Sequence, residues 1–476
     1  MNVILIANFM GWLLVALAVI QLVPFSAALY FGEPLLPYSA SSMVALVSGL
    51  PLILSLRPTD RRLRTRDGFL VVSAAWLIAS AFGSLPYAFT GVLPLVDALF
   101  ESVAGFTTTG STVMTQIEDS PRALLLWRAL TQWLGGMGII LFAVAVMPLL
   151  GVGGMQLFKA EVSGPIADKL TPRVAVTARR LWLIYVGFTT VEWLALNAAG
   201  MSGFDALCHA LTTMATGGFS TLGASIGGFD SALIEWIVIA FMVIAGMNFV
   251  LHYQLLTGRF GVVLRDAEFR YYLLLLAAAA AVVAWALGDV PGAGLRAAIF
   301  QVVSLTTGTG YTTANFEAWP AIALVVLLQL MILGGMAGST TGGVKSLRVL
   351  IGFRAVASVL ERLGHRSAVE RPVRYAGKTV PDNVLAGIWA FLTAYFVLVA
   401  CVSGVVAAAG YDVVTAASAG LTSVGNVGPG LGDIGPFDNF AHFPSFVKLT
   451  LSAAMIAGRL ELFTILILFH PDFWRR

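Results

Sequence analysis

Apolar stretches long enough to cross a bilayer recur along the chain with short polar turns between them. Residues 69–96, 129–158, 271–287 and 383–410 are examples, against the about 20 residues that a spanning helix needs. The pattern predicts ten spans. Helices near 2–30 and 39–56 come first and form a hairpin, and after them one plan repeats four times. Each copy has an outward helix (near 68–90, 180–199, 270–288 and 383–409), a half-length helix, and an inward helix (near 122–150, 231–257, 319–350 and 444–470). The half-length helices end in Thr107-Thr108-Thr109-Gly110, Ala215-Thr216-Gly217-Gly218, Thr307-Gly308-Thr309-Gly310 and Thr422-Ser423-Val424-Gly425. Thirteen residues before the last glycine of each run stand Asp97, Asp205, Ala297 and Asp412, and the three acids are expected as N-caps.

About a dozen residues of helix reach roughly 18 Å, so these segments enter a membrane without crossing it. Irregular backbone beyond such a helix is tolerated at membrane depth only where protein buries it or it lines water. Four loops around one axis meet that condition. The predicted fold class is therefore an all-α integral membrane protein: four tandem helix–pore loop–helix repeats around a pseudo-fourfold pore, plus an N-terminal two-helix hairpin. The expected divisions are 1–66 for the hairpin, then 67–158, 159–258, 259–353 and 354–476 for the repeats.

Composition agrees with a membrane chain: of 476 residues, 58% are hydrophobic and 11% charged, where soluble domains carry about 25% charged residues. Mean hydropathy is +0.88. The first 28 residues lack a charged leader region and a small-residue cleavage site, so they read as a retained helix rather than a signal peptide. Cys208 and Cys401 lie in apolar segments and suggest neither a disulfide framework nor a thiolate metal site. Of the 28 Lys and Arg residues, 23 fall in 57–66, 159–180, 259–270, 345–378 and 475–476. The positive-inside rule makes those regions and both termini cytoplasmic and opens the Thr/Gly runs to the outside. The net charge of +3 then flanks a lipid bilayer and points to no nucleic acid.

Backbone carbonyls from four glycine-containing loops replace the hydration shell of an alkali cation. The candidate ion-binding residues are Thr108, Thr109, Gly110, Thr216, Gly217, Gly218, Thr309, Gly310, Ser423, Val424 and Gly425. Close helix packing by small residues explains one such run but does not call for four in register. The inward helices share glycines at similar depth: Gly135-Gly136-Met137-Gly138, Gly246-Met247-Asn248, Gly334-Gly335-Met336-Ala337-Gly338 and Gly458-Arg459-Leu460. Arg459 lies about 20 Å into its helix, where a charge costs roughly 2.5–3.5 kcal/mol. It reads as a barrier to cations below the loops, the alternative being a structural pair with Glu461 or Glu192. Residues 334–343 hold five glycines and three hydroxyls, at a cost of about 1 kcal/mol per helical glycine, and are expected to break into a loop that gates the pore. Gly334, Gly335, Gly338, Thr340, Gly342, Gly343, Lys345 and Arg459 are the candidate gate. Glu101 is expected to brace the first loop from behind. His209 and His252 read as packing residues, and Glu192 and Glu235 receive no role.

These motifs resemble the superfamily of Trk, Ktr and HKT potassium transporters, most closely its TrkH-type membrane subunit, over nearly the whole chain. The marks are residues 105–112 (GFTTTGST), 215–221 (ATGGFST), 309–313 (TGYTT), 338–345 (GSTTGGVK), 425–432 (GNVGPGLG) and 458–461 (GRLE). The resemblance implies that Gly110, Gly218, Gly310 and Gly425 select potassium, the transported ion, and that serine at the first position goes with sodium permeation. It also implies a gate from 334–343 and Arg459, a homodimer, a bacterial inner-membrane location, and a cytosolic partner with RCK-type nucleotide-binding domains. Gly308 departs from the hydroxyl residue expected there. The chain has no dinucleotide fingerprint, so no organic cofactor is expected on it. A symporter coupling potassium to sodium or protons is the alternative within transport. A membrane enzyme needs a catalytic cluster that five scattered histidines do not supply, and an inverted-repeat transporter needs copies of opposite direction.

Overall fold

In the computed structural model the described residues are 1–56, 58, 64–145, 170–288, 294–364 and 372–475. The expected basic positions 57, 61 and 62, the stretch 159–169, the repeat boundary at 158, and the end of the first inward helix beyond 145 lie outside them.

The N-terminal hairpin consists of α1 (Val3–Ile20), α2 (Leu22–Phe31) and α3 (Leu36–Ser55), with α1 and α2 together forming one span. Where α1 crosses α3, Gly11 and Gly49 face each other, and a Cβ on Gly11 would stand 2.9 Å from the Gly49 carbonyl oxygen. Small residues here let the two backbones touch, which is how helices associate where lipid removes the hydrophobic drive.

The first repeat runs α4 (Thr65–Gly83), α5 (Leu85–Phe89), the half-length α6 (Leu95–Phe106) and α7 (Arg122–Ala145). The second runs α8 (Leu170–Ala198), α9 (Gly203–Met214), α10 (Ala232–Ala245), α11 (Phe249–Leu256) and α12 (Phe260–Arg265). The third comprises α13 (Ala267–Leu287), α14 (Leu295–Thr306), α15 (Ala321–Leu333) and α16 (Ser346–Gly364). A two-residue-strand hairpin pairs Arg374 with Thr379 and leads into the fourth: α17 (Asp382–Ala408), α18 (Val413–Gly425), α19 (Ser445–Arg459), α20 (Phe463–Leu466) and α21 (Pro471–Trp474).

Among the described residues seven helices are long and apolar enough to span, and two more spans are bent pairs, α10 with α11 at 102° and α19 with the segment after it at 108°. The tenth expected span, the third inward helix, is interrupted between Leu333 and Ser346. Three of the four inward helices therefore break, each at its glycine-bearing segment. The first does not. Its Gly135 and Gly136 face the Phe106 carbonyl and Ala215, so close packing on the half-helix ends takes up the missing side chains. One large apolar core draws mainly on the first and fourth repeats (Phe100, Trp127, Phe391, Leu451), and another on the second and third (Met242, Tyr272, Phe300, Leu327).

The expected caps need correction. Only Asp412 is an N-cap, accepting from the Val414 amide at 2.8 Å. The residues with extended backbone before α6 and α9 are Pro94 and Ser202, which leaves Asp97 and Asp205 as third helical residues. Asp97 pairs instead with Lys448 at 2.7 Å, tying the first repeat to the fourth.

Candidate functional site

Each half-length helix is followed by an extended loop with the same backbone signature. A left-handed residue, Thr108 (φ 53°), Thr216 (53°), Gly308 (67°) or Asn426 (54°), stands two positions before a left-handed glycine. Those glycines are Gly110 (83°), Gly218 (78°), Gly310 (78°) and Gly428 (106°), a region where a side chain is strained. Sixteen residues separate the N-cap from the glycine in every copy: Pro94 to Gly110, Ser202 to Gly218, Gly294 to Gly310 and Asp412 to Gly428.

The fourth run is thus shifted from its expected place. Gly425 is the last residue of α18, and Ser423 and Val424 are helical with it. The residues equivalent to Thr109-Gly110 are Val427-Gly428. Matching Asp412 to Asp97 and Asp205 set an N-cap against two third helical residues and displaced the fourth copy by three positions.

The four loops close a ring. A Cβ on Gly110 would land on the carbonyl oxygen of Gly217, one on Gly218 on that of Thr309, one on Gly310 on that of Val427, and one on Gly428 would stand 2.8 Å from that of Thr109. In every case the carbonyl belongs to the residue just before the next repeat's glycine. A chain of contacts from first to second to third to fourth and back to first requires one common axis. The C-terminal ends of α6, α9, α14 and α18 lead into this ring, and their partial negative charge favours a cation there.

Side chains hold the loops from outside the ring. Gln132 donates to the Gly217 carbonyl at 2.6 Å and accepts from the Phe219 amide at 3.1 Å. Asn426 donates to Thr109 Oγ1 and to the Met455 carbonyl, both at 2.9 Å. Glu101 accepts from the Val113 amide at 2.9 Å, behind the first loop as expected. His209 bridges the Asp205 carbonyl (2.7 Å) and Ser220 Oγ (3.0 Å), and His252 meets the Ile244 carbonyl at 2.8 Å, so both are satisfied core groups. Glu235 pairs with Arg296 at 2.8 Å. Above the ring, Glu317 accepts from the Gly432 amide at 2.6 Å, and burial raises its carboxyl above the ordinary range.

Residues 334–343 do form an irregular segment, with Gly334, Gly338, Gly343 and Lys345 all at φ between 70° and 76°. It lies against the inner side of the ring. Thr340 Oγ1 is 3.2 Å from Thr216 Oγ1, and a Cβ on Gly342 would meet the Gly425 carbonyl and, at 2.9 Å, Asn426. The break in the second inward helix receives the segment: Met336 N donates to the Gly246 carbonyl (3.0 Å) and Phe249 N to the Gly338 carbonyl (3.1 Å), while Gly335 packs on Thr341 and on the Gly246 carbonyl. From the N-terminal end of α13, Glu268 accepts from the Ala337 amide (2.7 Å) and Ser346 Oγ (2.9 Å).

Arg459, 2% exposed, reaches across the same space. Its Nη1 donates to the Thr340 carbonyl at 2.7 Å and its Nη2 to the Gly135 carbonyl at 3.5 Å. Neither acid considered as its counterion is its partner. Glu461 is held by Lys345 at 3.0 Å and by Arg348, and Glu192 is buried on α8. The charge of Arg459 is solvated by peptide dipoles alone among the described residues. Sequence reading missed Gly428, Arg348 and Glu268. The first was marked by the constant spacing from the caps, whereas the other two are ordinary charges at helix ends until folding brings them to the segment.

A ring of peptide oxygens at the ends of four half-length helices, within a multi-pass helical chain, defines a membrane cation-transport protein. The chain belongs to the TrkH family: a family model described as TrkH, cation transport protein, matches residues 40–476. It is 40% identical to the Trk system potassium uptake protein TrkH of Escherichia coli strain K12 over 480 residues, 99% of each chain. It is 34% identical to the Trk system potassium uptake protein TrkG of the same strain, covering 100% of this chain and 99% of the relative. The fold is also that of the crystal structure of the potassium transporter TrkH from Vibrio parahaemolyticus, with a TM-score of 0.92 at 36% identity and full coverage of both chains.

Proposed function

We propose that this chain takes up potassium across the bacterial inner membrane, channel-like, through a filter formed by the four loops. The ring of glycine-to-carbonyl contacts is the observation that carries the reading. It brings Thr109, Gly217, Thr309 and Val427 oxygens around one line, the arrangement that lets a dehydrating cation exchange water for protein oxygens. The filter residues are then Thr108, Thr109, Gly110, Thr216, Gly217, Gly218, Gly308, Thr309 and Gly310, completed by Asn426, Val427 and Gly428. Potassium is the substrate, and no organic cofactor is assigned to the chain.

The segment 334–343 with Lys345, and Arg459 beneath the ring, form the gate. Support comes from their position: the segment touches the second and fourth loops, and Arg459 spans from the fourth repeat to the first. The basic regions place both termini in the cytoplasm, and the repeats divide as 67–158, 159–258, 259–353 and 354–476. Homodimerisation and a cytosolic RCK-type nucleotide-binding subunit complete the assembly this reading entails.

Uptake in a potassium-auxotrophic bacterium tests it. Gly110→Ser is expected to lose preference for potassium over sodium and Arg459→Ala to conduct faster. Unchanged ion preference in Gly110→Ser removes the filter assignment. A sodium or proton gradient that drives potassium against its own gradient replaces the channel with a symporter.

A further inference from the structure

Seven residues after each N-cap, the four half-length helices carry different groups behind the loops: Glu101, His209, Gln301 and Ala419. Among the described residues only Glu101 is in an ion pair. Its Oε1 accepts from Arg128 Nε at 2.6 Å, with side chains 0% and 3% exposed. The same carboxylate accepts from Thr112 Oγ1 and the Val113 amide, both at 2.9 Å, two and three residues beyond Gly110. Arg128 Nη1 donates at 2.8 Å to the Ser220 carbonyl, and its guanidinium lies 3.7 Å from the centre of the Phe219 ring. Phe219 and Ser220 directly follow Gly218. One desolvated pair therefore grips the first and second loops together.

Among the described residues the other junctions have no buried ion pair between their loops, although the Glu317 carboxylate accepts from the Gly432 amide at 2.6 Å between the third and fourth. Gly227 N donates to the Thr312 carbonyl (3.1 Å), Thr312 Oγ1 to the Pro436 carbonyl (3.2 Å), and Ser111 Oγ to the Gly428 carbonyl (3.2 Å). Single hydrogen bonds stretch easily, whereas a buried ion pair resists separation because no water is at hand to replace either partner.

We propose that the Glu101–Arg128 pair is a specificity-determining brace that fixes the spacing of the first two loops and so the preference for potassium over sodium. The proposal rests on the four loops being the filter. Whether selection comes from cage size or from the number and field of the oxygens, it depends on how far apart the loops are held. Neutralising Glu101 leaves the Arg128 charge without its partner. The guanidinium then turns toward water, its bond to Ser220 is lost, and the second loop relaxes against the first.

Bi-ionic reversal potentials of the full-length protein in liposomes, with potassium on one side and sodium on the other, measure the effect. Glu101→Gln is expected to raise relative sodium permeability roughly tenfold, the change in ratio that about 1.4 kcal/mol of differential binding produces. Arg128→Lys retains a charge opposite Glu101 but cannot also reach the Ser220 carbonyl, so an intermediate rise is expected. Glu235→Gln, whose partner Arg296 is 47% exposed, serves as the control and leaves the ratio unchanged. If Gly110→Ser alters the ratio while folded Glu101→Gln and Arg128→Lys keep the wild-type value, the pair is a strut and the proposal falls. If Gly110→Ser also keeps it, the filter reading falls first. Should Glu101→Gln fail to insert, Arg128→Lys decides: a raised ratio supports the brace and a wild-type ratio overturns it.

Discussion

Gly428→Ala and Gly425→Ala form a matched pair that separates two registers of the fourth loop. Gly428 has φ 106°, and an added methyl would stand 2.8 Å from the Thr109 carbonyl oxygen. A side chain in a sparsely populated backbone region costs about 1–3 kcal/mol, relieved here only by moving the loop or the facing carbonyl. If that strain appears as weaker potassium binding relative to sodium, the preference falls between about fivefold and a hundredfold. Gly425, by contrast, ends α18, and its nearest neighbours to an added methyl are the Met331 carbonyl, the Tyr395 hydroxyl and Val427 Cγ2, all at 3.3 Å. Alanine recovers up to about 1 kcal/mol of helix propensity there, offsetting the tight contacts, so selectivity is expected to stay within about twofold of wild type. Competitive rubidium uptake, with sodium as the competitor, gives the ratio in whole cells. The reverse outcome, loss of preference in Gly425→Ala with Gly428→Ala unaffected, would refute the register and with it the ring.

Three further outcomes follow from buried groups. Glu461→Gln leaves Lys345 and Arg348, 8% and 6% exposed, without their shared carboxylate, and is expected to cost about 3–5 kcal/mol, seen as a lower thermal midpoint in detergent; an unchanged midpoint would show that the cations rehydrate freely. Glu268→Ala orphans the Ala337 amide and Ser346 hydroxyl, at about 1–3 kcal/mol per buried donor, and is expected to raise potassium leak by loosening the segment; tighter closure contradicts its holding role. Gly11→Leu overfills the crossing of α1 with α3 and is expected to destabilise the hairpin by about 1–3 kcal/mol while leaving ion preference intact, which a selectivity change would contradict.

The outward helices and the half-length helices were legible because length and hydropathy set them. The expected 270–288 and 383–409 became Ala267–Leu287 and Asp382–Ala408. The interrupted third inward helix was legible for the same local reason, since consecutive glycines oppose helix whatever surrounds them. Register was harder. In three copies a similar composition lies at the same distance from the cap, but the fourth extends its helix through Ser423 and Val424 to Gly425 before the left-handed turn at Asn426. Glycine alone does not say which of Gly425 and Gly428 bends, because the choice depends on where the helix starts, and that was decided by an Asp that caps one helix and sits inside two others. Charge partners were not legible at all. Arg128 meets Glu101 across 27 residues, and Lys345 meets Glu461 across 116, through contacts that exist only once the repeats have packed around the axis.

The symmetry is kept in one layer and abandoned in the next, for a physical reason. All four copies keep the sixteen-residue spacing and the paired left-handed residues, as the proposed filter requires, since an ion held there would feel oxygens from all four loops at once and a distortion of any one would change its solvation. Below the ring the inward helices part company: among the described residues one runs unbroken to Ala145, two bend by 102° and 108°, and one gives way to the glycine segment. On the proposed gate reading, blocking a path needs only one obstacle, so a single segment and a single cation would suffice there. Four copies of Arg459 would bring four buried charges together with only peptide dipoles to solvate them, a cost that climbs with each added charge. The same economy explains why the segment is seated in the break of the second inward helix, at Gly246 and Phe249: the neighbouring repeat must depart from fourfold symmetry to make room for the one element that has no counterpart.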